Sequence, residues 1–163
     1  SKLHENPSYG VASLAYAPLV AKYVRKTNAR GILDYGCGKG RLAIALQSHI
    51  PWSLKMFQYD PAIPAFAAQP EPCDFVASID VLEHIEPEYL DAVLDDLQRV
   101  TVKWGFFTVH CGPAIKFLAD GRNAHLTQQP ATWWIPKIAS RFAIVEQAPA
   151  HGGFWVFVKR KTA

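Results

Sequence analysis

Short apolar runs and helix-spaced apolar positions take turns along this chain. Ile32–Tyr35, Leu54–Tyr59, Phe75–Ile79 and Trp104–Val109 read as strands. The unbroken Phe75-Val76-Ala77-Ser78-Ile79 has the pattern of a parallel strand buried on both faces. Between the strands, apolar residues recur at helical intervals. Val11 to Lys26 carries Leu14, Leu19, Val20 and Val24 on roughly one face, and a second helix runs from Arg41 to about His49, stopping before Pro51. A third starts near Pro87 and carries Leu90, Val93, Leu94, Leu97 and Val100, and a fourth covers residues 131–142 around Trp133, Trp134 and Ile138. Two last strands, Ala143–Glu146 and Phe154–Val158, flank Gly152-Gly153. The alternation predicts an α/β fold with a doubly wound, mostly parallel sheet and a C-terminal antiparallel hairpin. No repeat or low-complexity linker divides it, so residues 1–163 are read as a single domain.

Composition narrows the class. Half of the residues are hydrophobic and 19% are charged, which supplies a core and argues against disorder. No apolar run approaches the ~20 residues of a bilayer span. The start, Ser1-Lys2-Leu3-His4-Glu5-Asn6, has no apolar signal core, so a cytoplasmic protein without membrane insertion is expected. Cys37, Cys73 and Cys111 are odd in number and lack Cys-x-x-Cys spacing, which points to free thiols and to no metal site. The net charge of +3 is mild, and Lys159, Arg160 and Lys161 at the tail read as a solvated end.

The densest chemistry lies at Ile32-Leu33-Asp34-Tyr35-Gly36-Cys37-Gly38-Lys39-Gly40, a strand running into a glycine turn and then a helix. Alternate glycines let the backbone pass close under a ligand at the carboxyl end of a strand, where open α/β sheets bind. A dinucleotide fingerprint places a glycine at the sixth position, which here is Arg41. Asp34 followed by Gly36-x-Gly38-x-Gly40 instead resembles motif I of the class I S-adenosylmethionine-dependent methyltransferases. Tyr59-Asp60 ends the second strand, twenty residues beyond Gly40. The run Cys73-Asp74-Phe75-Val76-Ala77-Ser78-Ile79-Asp80-Val81-Leu82-Glu83-His84-Ile85 resembles the fourth-strand motif of the quinone-biosynthesis methyltransferase subgroup. Ala124-His125-Leu126 with Pro130 and Trp133-Trp134 resembles that subgroup's segment before its late helix. The resemblance covers most of residues 31–147.

The resemblance implies a Rossmann-like sheet and S-adenosylmethionine as cofactor, with S-adenosylhomocysteine as product. It places the cofactor against Asp34, Gly36, Cys37, Gly38, Gly40, Asp60, Ser78, Ile79 and Asp80, with Asp60 accepting the ribose hydroxyls. One departure stands out. Fourteen steps separate Asp60 from Asp74, and Pro61, Pro64, Pro70 and Pro72 fall among them. Prolines at that density exclude a central strand, so the family's third strand is expected to be missing. The second strand then becomes an edge that a loop or a partner subunit covers. The adenine partner must likewise come from a backbone group or a residue such as Glu71.

Sulfonium chemistry needs a base only when the acceptor carries a proton to be lost. His84, His110 and His125 follow the fourth strand, end the fifth and precede the late helix, and each is a candidate base. Each also has a plain reading as a loop-ordering residue. Tyr9, Trp133 and Trp134 are candidate substrate-pocket residues, with one of the two tryptophans expected in the core. Ile79-Asp80-Val81-Leu82 lacks the Asp/Asn-Pro-Pro-aromatic motif of DNA amino-methyltransferases, and Cys73 precedes the strand instead of supplying a cytosine-5 nucleophile. The expected acceptor is a small molecule, with RNA, DNA or protein as the alternative. A homodimer, and a cofactor-binding domain without methyl transfer, also stay open.

Overall fold

The computed structural model describes residues 11–162. In chain order it comprises α1 (Val11–Thr27), β1 (Gly31–Tyr35), α2 (Arg41–Gln47), β2 (Lys55–Tyr59), β3 (Cys73–Ile79), α3 (Pro87–Val100), β4 (Thr101–His110), α4 (Ala131–Ala139), β5 (Phe142–Ala150) and β6 (Gly153–Arg160). Short 3-10 turns occupy Pro64–Phe66 and Leu82–His84. One six-stranded sheet runs in the order β2-β1-β3-β4-β6-β5. The first four strands are parallel, and β6 lies antiparallel between β4 and β5. Residues 60–72 hold one 3-10 turn and no strand, so β2 is the open edge, as the proline-rich segment predicts. The strand order reverses between β1 and β3, which makes their carboxyl ends the topological switch point where such sheets take ligands.

Alternate residues of each central strand supply two cores. Ile32, Phe75, Ala77, Ile79 and Phe106 face α1 and α2, whereas Leu33, Val76, Phe107 and Val109 face α3 and α4. On α3, Leu90, Leu94, Leu97 and Val100 are buried, a helical stripe that starts just behind Pro87 at the first helical position. On α1 the expected Val20 and Val24 are buried, but the inward face is rotated away from Leu14. Tyr16, Val20, Tyr23 and Val24 are buried, whereas Leu14 is 47% exposed. Aromatic stacking sets that rotation, since the Tyr23 ring lies 4.2 Å from Phe157 and 5.9 Å from Phe106.

Two boundaries also move. The last helix ends at Ala139, because Phe142 is fully buried as the first residue of β5. The hairpin strands are longer than their apolar centres, and β5 includes Pro149, which an edge strand accommodates. The turn between them uses left-handed His151 and Gly152 (φ 46° and 78°).

Candidate functional site

The turn after β1 is held down by the strand beside it. Gly36 N–H and Cys37 N–H both donate to Tyr59 O, at 2.7 and 3.0 Å, and Gly38 N–H donates to Asp60 Oδ2 at 3.0 Å. The other oxygen, Asp60 Oδ1, accepts Ala62 N–H at 2.9 Å. Asp60 thus ties the glycine turn to the chain leaving β2. Gly36, Gly38 and Gly40 have φ of 85°, 52° and 72°, left-handed backbone that favours glycine. A Cβ on Gly36 would also stand 2.4 Å from Val81 Cγ2.

Behind this turn lie polar groups without partners. Asp34 is 1% exposed, and its Oδ2 has no hydrogen bond. Burial, followed by the nearby Asp60 charge, pushes its carboxyl up to about 7. Ser78 Oγ on β3 is likewise buried and unpartnered. Asp80, at the end of β3, adopts φ 52°. Its N–H points to Thr108 Oγ1 at 2.9 Å, and that hydroxyl donates to Asp80 Oδ1 at 2.6 Å, so β4 holds an otherwise costly backbone in place.

The three candidate histidines, 15 to 41 residues apart in sequence, come together in space. The rings of His84 and His125 meet edge to face at 4.7 Å, and those of His110 and His125 lie 5.1 Å apart. His84 Nδ1 is 3.0 Å from Ala124 O. His125 Nδ1 and His110 Nδ1 are 2.7 and 3.3 Å from one carbonyl, Gly112 O. A carbonyl only accepts, so each Nδ1 carries a proton and each Nε2 of a neutral ring keeps its lone pair. Burial, then His125, depresses His84 to about 4, which keeps it neutral at physiological pH.

Sequence reading did not single out Glu83 as a site residue, although the Leu-Glu-His run in an apolar stretch was the available signal. Its side chain is fully buried, Oε2 accepts the His110 N–H at 2.7 Å, and Oε1 has no partner. Burial, then Asp80, raises its carboxyl well above the usual range. Gly152 was read only as a turn, yet a Cβ there would stand 2.9 Å from His110 Nε2.

The segment that carries His125 is pinned by Thr127, whose N–H donates to Glu83 O at 3.0 Å and whose hydroxyl donates to Ile85 O at 2.7 Å. Thr127→Val is expected to cost about 1 kcal/mol, one net hydrogen bond, measured by urea unfolding.

The other expected residues are placed differently. Tyr9 lies outside the described residues. Trp134 is fully buried in the core on the α3 side, with its indole N–H on Gln129 O at 3.1 Å, so it is structural and not part of a pocket wall. Trp133 packs against it, half-buried under Lys137. Glu71 is exposed. The three cysteines are free thiols, and among the described residues no cluster of three His, Cys, Asp or Glu side chains is placed to hold a metal. No helix is long and apolar enough to cross a membrane among the same residues.

A family model described as a methyltransferase domain matches residues 12–157. The chain belongs to this family. It is a class I S-adenosylmethionine-dependent methyltransferase domain, with S-adenosylmethionine as its cofactor. No curated protein sequence matches it. Among solved structures, the methyltransferase is similar to a mitomycin 7-O-methyltransferase at 14% identity and TM-score 0.69, covering 91% of this chain and 54% of that one. It is also similar to the magnesium protoporphyrin IX methyltransferase of Synechocystis bound to S-adenosylhomocysteine, at 19% identity and TM-score 0.66 over 93% of this chain and 84% of that one. A third is the 1,6-didemethyltoxoflavin-N1-methyltransferase of Burkholderia thailandensis, at 16% identity and TM-score 0.64 over 93% of this chain and 79% of that one. The chain therefore spans about half the length of the mitomycin enzyme and most of the other two. At these identities the likeness is one of fold.

Proposed function

We propose that this domain transfers a methyl group from S-adenosylmethionine to a small-molecule acceptor. The cofactor is held over the glycine turn by Asp34, Gly36, Cys37, Gly38, Gly40, Asp60, Ser78, Ile79 and Asp80. The observation that carries this reading is a buried carboxyl, Asp34, with an unpartnered oxygen two residues before a turn of three left-handed glycines. Unpartnered Ser78 Oγ on the neighbouring strand supports the same seat, since buried polar atoms normally find partners. Asp60, which already accepts two backbone N–H groups, has lone pairs left for a pair of hydroxyls.

When bound, the cofactor supplies a methyl group activated by its own sulfonium charge. The protein's part is therefore alignment and exclusion of water. The glycine turn lets the backbone approach closely, and Val81 fills the space that a Cβ on Gly36 would need.

Two observations favour a small acceptor. The structural relatives include methyltransferases of mitomycin, a toxoflavin precursor and magnesium protoporphyrin. In addition, a basic groove formed by Lys103, Lys159, Arg160 and Lys161 beside Trp104 lies where β4 begins, at the opposite end of the sheet from the glycine turn. A polyanion bound there would not present its bases or side chains to the turn. The open β2 edge, with Phe57 43% exposed, supports pairing of two copies, and free Cys37 and Cys73 fit a reducing, cytoplasmic setting.

Calorimetric titration of the full chain with S-adenosylmethionine and S-adenosylhomocysteine tests the reading. Micromolar binding is expected. Asp60→Ala should weaken it by roughly 10- to 100-fold, the worth of hydrogen bonds to a charged group. A folded wild type that binds neither ligand overturns the proposal. Tight binding with no transfer to any acceptor pool leaves a cofactor-binding domain instead.

A further inference from the structure

We infer that His110 is the base of this domain, and that the acceptor is therefore a hydroxyl compound, such as a phenol or enol, that must lose a proton as it is methylated. The inference rests on the cofactor assignment above and deepens it. His110 ends β4, beside Asp80 at the end of β3, so it stands on the sheet's carboxyl rim next to the proposed cofactor seat.

Its orientation is fixed at two points. The main-chain N–H is held by the buried Glu83 carboxyl, and ring Nδ1 is held by Gly112 O. The second contact leaves the lone pair on Nε2. That nitrogen points toward the hairpin turn at the one residue without a side chain, since any Cβ at Gly152 would stand 2.9 Å from it. A glycine at this place leaves the half-buried ring room to lie with that edge against the turn.

The surroundings separate the roles of the three imidazoles. His84 is buried and held neutral, and its bond to Ala124 O joins the segment before α4 to the end of β3. It is a positioning residue. His125 shares the Gly112 carbonyl with His110 through the shorter bond, so it fixes the acceptor atom on which the His110 ring leans. It acts through that carbonyl and is likewise a positioning residue. The titratable groups around His110 are Asp80, Glu83 and His84 from the turn after β3, Cys111 and His125 from the segment after β4, His151 from the hairpin turn, and Tyr16 of α1 packed on His151.

The step balances without a further reactant. The acceptor O–H bond breaks as Nε2–H forms, and the oxygen bonds the methyl carbon as the C–S bond breaks. The bonding pair stays on sulfur as the thioether S-adenosylhomocysteine, and the imidazolium afterwards releases its proton to water. An aniline-type amine, already neutral and nucleophilic near pH 7, attacks without first losing a proton.

Two measurements test this on the full chain. Long-range proton–nitrogen spectra of the imidazoles are expected to place the His110 proton on Nδ1; a proton on Nε2 overturns the inference whatever the activity. Methyl transfer to catechol, compared with aniline, is then read in three proteins. The wild type should favour catechol. His110→Gln should lose about 100-fold or more in kcat, as removal of a general base does. It should also lose the acid limb of its pH profile, with binding of S-adenosylhomocysteine unchanged. Gly152→Ala, which keeps the histidine and displaces its Nε2 edge, should reproduce that loss in a protein whose melting shows it folded. Retention of activity in both variants overturns the proposal, as does a wild type that binds the cofactor and prefers aniline or methylates neither probe. A wild type that binds no cofactor strikes the proposed function itself and is seen separately by calorimetry.

Discussion

Asp34→Asn is expected to flatten the pH dependence of stability of the ligand-free domain between about pH 4 and pH 7. In the folded chain the Asp34 carboxyl is held near 7, by burial first and by Asp60 second. In the unfolded chain it titrates near its ordinary value of ~3.9. Below both values the group is protonated in either state and costs nothing. Between them the native state binds the extra proton, so stability falls as pH rises, and above about 7 the loss is complete. A gap of this size corresponds to roughly 4 kcal/mol, a large share of the 5–15 kcal/mol typical of a domain. Asparagine cannot ionise, so wild type minus variant, measured by urea unfolding at several pH values, should slope downward and then level. Buried Glu83 slopes the same way in both proteins and cancels in the difference. A flat difference would show that Asp34 is solvated in solution. The destabilising carboxyl makes sense at a binding seat, since the variant should gain stability at pH 8 and lose affinity for S-adenosylmethionine.

Gly36→Ala is the second large effect. The residue holds φ 85°, and the added Cβ would sit 2.4 and 3.1 Å from the two methyl groups of Val81. Left-handed backbone costs an L-residue about 1–2 kcal/mol, and overpacking adds about 1–3 kcal/mol. The sum, roughly 2–5 kcal/mol, should appear as a lower urea midpoint, with cofactor binding lost below detection because the turn itself must shift. Combining it with Val81→Ala removes both methyl contacts and leaves the backbone cost with one tight contact to the Cβ at 81, at 3.3 Å. The double variant should therefore recover part of the stability, beyond what the two single changes predict by addition. If the double variant is no more stable than Gly36→Ala alone, packing against Val81 is not what the glycine serves.

Much of this architecture is legible from local pattern. The apolar runs at Ile32–Tyr35 and Phe75–Ile79 identify central strands because both of their faces are covered. The prolines at 61, 64, 70 and 72 identify a missing strand because proline cannot donate to a ladder. Where the reading slipped, a distant contact was responsible. Leu14 belongs to the apolar pattern of α1, yet the stack of Tyr23 on Phe157 turns another face inward. Trp133 and Trp134 are equivalent in sequence, and only the packing of α4 on the sheet sends Trp134 into the core.

What the sequence by itself determined is therefore the order and kind of the elements, the edge at β2, and the glycine turn with its two acids, all set by residue type and spacing within a few turns of chain. Tertiary structure alone decided which groups are buried without partners and which side chains meet. Asp34 and Glu83 become unusual acids through burial, a property of many residues at once. His84, His110 and His125 become one cluster through contacts 15 to 41 positions apart, with His110 and His125 sharing the Gly112 carbonyl and His84 on that of Ala124, carbonyls that no local pattern marks. Protonation depends on solvent access and on neighbours in space, and both exist only once the chain has folded.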